Sequence, residues 1–146
     1  MFGKKKFFSG REEEQIINSI KAAEQYTSGE IRLFVEPTCE GDPIEKAIAV
    51  FQHLKLNEKG HRNGVLIYLA TEHRKFAIIG DEGIHTKVPD NFWEDIKNKM
   101  AEFFKQGKIS EGICEGVTLI GEKLKENFPV NQDDKDGYTD KINYSK

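Results

Sequence analysis

The chain has 146 residues, with 37% hydrophobic and 32% charged residues and a formal net charge of −3. That length suits one domain able to bury its own core, and the composition excludes a disordered chain. The slight acidity gives no global case for nucleic-acid binding, and the longest apolar run, Val65–Ala70, is far short of the ~20 residues that cross a bilayer.

The opening Met1–Gly10 is basic and aromatic but has no apolar stretch after it, so it reads as an arm (residues 1–8) rather than a secretory signal. Ser9 followed by Glu12 has the order of a capping box and predicts a helix with Ile16, Ile17, Ile20 and Ala23 on its apolar face, ending at Ser28-Gly29. Glu30–Pro37 alternates as a strand, with Ile31, Leu33 and Val35 on one face and Arg32 and Phe34 on the other. Asp42 and Pro43 then announce a second helix, with Ile44, Ala47, Ile48 and Phe51 as its expected buried stripe.

Gly64–Ala70 is apolar throughout, as a central strand covered on both faces would be. The polar connection Thr71–Arg74 is short enough to make a hairpin with Lys75–Gly80. Asp81-Glu82-Gly83 breaks that strand, and Pro89-Asp90 is expected to open a third helix carrying Phe92, Trp93, Ile96, Met100, Phe103 and Phe104 inward. Gly107 closes it, and Ser110 is expected to cap a fourth helix with Ile113, Val117, Ile120, Leu124 and Phe128 as its stripe. Residues 130–146 read as an acidic, weakly ordered tail. The fold class that follows is α/β: a three-layer α/β/α sandwich around a small mixed sheet, with one parallel pair joined by a right-handed crossover.

This topology sorts the polar residues by sheet edge. Glu30 and Asn63 each precede a strand of the parallel pair, and the hairpin returns Asp81 and Glu82 to the same edge. Asp90 lies one loop further on, whereas Glu36, Glu72 and His73 belong to the opposite edge, about 20 Å away. Oxygen donors without sulfur suit Ca²⁺ or Mg²⁺. His61 and His85 would suit a transition metal only if they converged, and each acid has a plainer role as a cap, a turn residue or an ion-pair partner. Arg32 and Arg62 could clamp a phosphate or simply neutralise the acidic edge. A second, poorer pattern lies in the tail, where Gln132, Asp134, Asp136, Gly137, Asp140 and Asn143 fall at EF-hand loop positions, but the first acid and the bidentate Glu are missing. Neither a GxSxG nor a P-loop is present, and Cys39 and Cys114 read as reduced thiols.

The segments Thr27–Arg32, Arg62–Tyr68 and Phe76–Ile84, with the Phe92-Trp93 pair and Ile120–Leu124, resemble the TPM domain family. That family is named for thylakoid acid-phosphatase-like, photosystem II repair and acetylcholine-receptor-modulating proteins, and the resemblance runs from Ser9 to Pro129. It implies a sheet of about four strands and an acidic site for divalent cations, with Glu30, Asn63, Asp81 and Asp90 at matching positions. Some members are described as acid phosphatases and others as accessory modules of membrane complexes. The sequence therefore leads to a cytoplasmic, Ca²⁺- or Mg²⁺-binding accessory or interaction module with a protein or membrane-complex partner and no nucleic acid. A metal-assisted phosphatase and a structural domain without metal are the rivals.

Overall fold

The computed structural model describes residues 7–56, 63–130 and 141–145. Helix α1 (Gly10–Glu24) starts where the sequence places it: Ser9 Oγ accepts from the Glu12 N–H, and the Glu12 carboxylate accepts from the Ser9 N–H. It ends at Gln25, a turn before Ser28-Gly29. Strand β1 (Glu30–Glu36) follows, then helix α2 (Pro43–His53), with Asp42 accepting from the Ile44 N–H.

Strands β2 (Gly64–Ala70) and β3 (Lys75–Gly80) form the expected hairpin. β2 is buried along its whole length, because β1 runs parallel on one side, β3 antiparallel on the other, and helices cover both faces. Ile31, Leu33, Val35, Val65, Ile67 and Leu69 face a core shared with α1 and with helices α4 (Glu94–Lys105) and α5 (Ile109–Asn127). Phe34, Leu66, Tyr68, Ala70 and Ala77 face α2 instead, so the layers are α/β/α.

Two elements were not legible. A single helical turn, α3 (Glu82–His85), occupies the expected Asp81-Glu82-Gly83 turn, with Asp81 as its N-cap. A short strand, β4 (Ile142–Tyr144), lies inside the expected tail and pairs in parallel with β1, giving the order β3-β2-β1-β4. Three residues amid polar sequence carry no periodicity to read. What holds them is the edge of β1, where the Leu33 N–H donates to Lys141 O and the Ser145 N–H to Val35 O, each at 3.0 Å.

Three expectations are corrected. α2 buries Ala47, Val50 and Phe51, while Ile44 and Ile48 are 45% and 46% exposed. The buried arc is rotated toward Val50 because α2 leans over β2 and β3 rather than over the centre of the sheet. The third expected helix does not open at Pro89-Asp90. Residues 89–93 are turns, closed by Phe92 N–H to Pro89 O and Glu94 N–H to Asn91 O, and α4 begins at Glu94. Lys123 on α5 holds this turn, donating to Phe92 O at 2.5 Å with its ammonium 4.5 Å from the Phe92 ring centre. Finally, Ser110 lies inside α5 rather than capping it, and its Oγ meets Glu12 Oε2 at 3.3 Å, joining the starts of α1 and α5.

Candidate functional site

The strand register brings the expected edge residues into one row. Glu30 pairs with Gly64 in the parallel ladder, and the Asp81 N–H donates to Gly64 O at 2.8 Å. Glu30 and Asp81 therefore flank Gly64 across three strands, and adjacent strands lie about 4.8 Å apart. Gly64 contributes no side chain to the space between them. Asn63, next to it, is 5% exposed, and its Nδ2 donates to Ser28 Oγ at 2.8 Å, so its carbonyl oxygen is the end able to serve a cation. The entry to β1 is tied down beside it: Gly29 N–H donates to Thr27 Oγ1, and the Thr27 hydroxyl donates to Phe128 O.

Asp81 is 4% exposed and its Oδ1 accepts from the Glu82 N–H at 2.7 Å. Glu82, on the first turn of α3, is exposed. Asp90 is exposed in the turn before α4 and does not cap a helix. His85, at the end of α3, is exposed. Arg62, His61 and the acidic part of the EF-hand-like pattern lie outside the described residues; its last position, Asn143, sits in β4 opposite Phe34.

Arg32 is fully buried. Its guanidinium meets Glu24 Oε2 at 3.1 Å, Glu30 Oε2 at 3.5 Å and Ile31 O at 2.8 Å. Glu24 also accepts from the Ile31 N–H and, through Oε1, from Lys141 Nζ, both at 2.8 Å. Of the two expected roles for Arg32 the structure favours neutralisation: with no exposed surface, it cannot meet a substrate phosphate without leaving this network. Glu24 is the centre that sequence reasoning missed. It is the last residue of α1, and only the fold puts it beside Arg32 and Lys141.

The charge count at the edge is modest. Glu24, Glu30 and Asp81 are met by Arg32 and Lys141, a net of about −1 before the exposed Glu82 is counted. Among the described residues, no three His, Cys, Asp or Glu side chains converge into a group able to hold a metal ion. The edge offers separated oxygen donors rather than a closed cage.

At the opposite edge, the Tyr68 hydroxyl donates to Glu36 Oε2, which Lys46 Nζ also approaches at 3.7 Å. Burial first, and the Glu36 carboxylate second, push the Tyr68 phenol far above its ordinary range. Both cysteines are free thiols, and burial raises the pKa of Cys114. Among the described residues, no helix is long and apolar enough to cross a membrane.

The fold has counterparts elsewhere. The BA42 protein of the psychrophilic bacterium Bizionia argentinensis is 39% identical, with a TM-score of 0.89 over 99% of this chain and 100% of that one. The N-terminal domain of a P. gingivalis protein, 21% identical, has a TM-score of 0.67 over 83% of this chain and 78% of that one. The N-terminal domain of cg2496 from Corynebacterium glutamicum, 20% identical, has a TM-score of 0.59 over 81% and 74%. These last two share the fold alone. No curated protein matches the chain. The profile of the TPM domain matches residues 2–123, nearly the whole of the sandwich, and the chain belongs to the TPM domain family.

Proposed function

We propose that this TPM domain binds a divalent cation, Ca²⁺ before Mg²⁺, at the edge where Glu30 and Asp81 flank Gly64, and that it serves as a cytoplasmic accessory or interaction module. The observation that supports this most is the row itself: the Glu30 carboxylate at the start of β1 and the Asp81 carboxylate just past β3, separated by a residue with no side chain, with the Asn63 amide beside them. The donors are all oxygen, as a hard cation requires, and Glu82 on α3 is near enough in sequence to add a carboxylate. Ca²⁺ tolerates irregular, water-completed coordination better than Mg²⁺, which suits donors that do not form a closed cluster. With a local charge of only about −1, or about −2 with Glu82, affinity is expected in the weak class, roughly 10⁻⁴–10⁻³ M.

The phosphatase alternative has less support. The buried Arg32 is occupied by Glu24, Glu30 and the Ile31 carbonyl, and an acidic edge repels a phosphate dianion. The test is thermal unfolding of the chain in millimolar Ca²⁺ and in chelator. A ligand that binds only the native state raises the melting temperature by mass action. Asp81→Asn should abolish most of the Ca²⁺-dependent rise, because it removes charge while keeping a residue that also caps helices well. An identical melting temperature in saturating Ca²⁺ and in chelator would sink the proposal, and turnover of a phosphomonoester lost in Asp81→Asn would favour the enzyme.

A further inference from the structure

At the other end of β2, about 20 Å from the Gly64 row, the structure contains a second concave site. A cavity of about 500 Å³ opens between the β2–β3 hairpin, the end of α4, the start of α5 and Phe7. That is within the size range of small-molecule sites. Its floor is apolar and partly uncovered: Leu69, Phe76, Phe104 and Ile109 line it, with the Phe76 and Phe104 rings edge to face at 4.9 Å. Phe7, edge to face with Phe8 at 4.9 Å, forms one wall and is still 48% exposed.

The charges around this cavity are one-sided. Arg74 and Lys105 line it and are exposed, and among the described residues no Asp or Glu lines it, although acids outnumber bases in the chain by 25 to 22. Lys75 also contributes to the lining, but its Nζ is turned to Cys39 O and Gly41 O at 3.0 and 2.8 Å. Arg74 holds a left-handed backbone conformation (φ 55°) in the hairpin, which costs energy for a residue with a Cβ.

We infer that this cavity binds a small amphipathic anion, a single carboxylate head on an alkyl or aryl body, with Arg74 and Lys105 taking the head and the Phe76–Phe104 floor taking the body. A guanidinium matches a carboxylate in geometry as well as charge, and a half-covered aromatic floor gains by losing its water. An uncharged body would keep the second contribution and lose the first.

The test is an amide-resolved NMR titration of the full chain, in chelator, with octanoate, octanol and octylammonium in parallel. Octanoate is expected to shift the amides of Leu69, Phe76, Phe104 and Gly107 at millimolar concentration, to bind about tenfold more tightly than octanol, and to leave Gly64 and Asp81 undisturbed. The double variant Arg74→Gln, Lys105→Gln should weaken octanoate by about tenfold and leave octanol unchanged. Both side chains are exposed, and amides far from the cavity report whether the fold is kept. If that variant fails to fold, the comparison of the three probes on the natural chain decides. Equal binding of octanol and octanoate, shifts elsewhere, no shifts, or an unaffected double variant would each overturn the proposal.

Discussion

Tyr68 shows how burial and one partner set a residue's chemistry. Its hydroxyl reaches Glu36 beneath α2, and desolvation together with that carboxylate raises its pKa well above its ordinary value of 10.0. Tyr144, bonded to Glu13 at 2.5 Å, is raised for the same two reasons. The unfolded chain then loses these protons first as pH rises, so the stabilisation is complete below about pH 10 and drains away above it. The stability of Tyr68→Phe should fall less steeply between pH 10 and 11.5 than that of the natural chain, as measured by urea unfolding at each pH. Equal slopes would contradict this reading of Tyr68. Glu24 makes a second case. Replacing it with Gln leaves the Arg32 guanidinium buried with one carboxylate fewer, and a loss of about 3 kcal/mol is expected in chemical denaturation. Glu30's partner Arg32 was a sequence-level alternative because the two are neighbours on one strand face. Glu24 and Lys141 were not legible, because separations of 8 and 117 residues are closed only by the fold.

Elements with strong local signals were read well, and those defined by tertiary contact were not. The capping box of α1, Asp42 before α2 and the unbroken apolar run of β2 are all where expected, since each depends on a few adjacent residues. β4 and the Lys123-held turn at residues 89–93 depend on what lies opposite them, and no window of sequence contains that. The α1–α5 contact adds a packing constraint of the same kind. A Cβ on Gly121 would lie 2.7 Å from Ala23 Cβ and 3.3 Å from its Cα, so neither side has a flexible tip to move aside. Gly121→Ala should therefore separate the helices and cost about 1–3 kcal/mol, despite alanine's better helix propensity. Stability equal to or above the natural chain's would refute that contact. For β4, Ile142→Asp should release the strand from the core and speed hydrogen exchange of the Leu33 amide by at least about tenfold, while Ile67 in β2 stays protected.

On the scale of the whole molecule, the sheet separates two chemistries. One edge gathers acids and an amide around Gly64, and the other carries an apolar cavity with cations at its mouth. The sandwich and the positions of Glu30, Asn63 and Asp81 were legible because strand order and hairpin geometry determine them. The cavity was not, because its walls come from Phe7, the hairpin, α4 and α5, which meet only in three dimensions. The central claim is that the Gly64 row takes a divalent cation. An amide-resolved Ca²⁺ titration of the full chain tests it most directly. The account predicts concerted, saturable shifts of Glu30, Asn63, Gly64 and Asp81 at millimolar Ca²⁺, absent in Asp81→Asn, with Glu36 and Glu72 unmoved. Shifts confined to residues 133–140, or none at all, would contradict it.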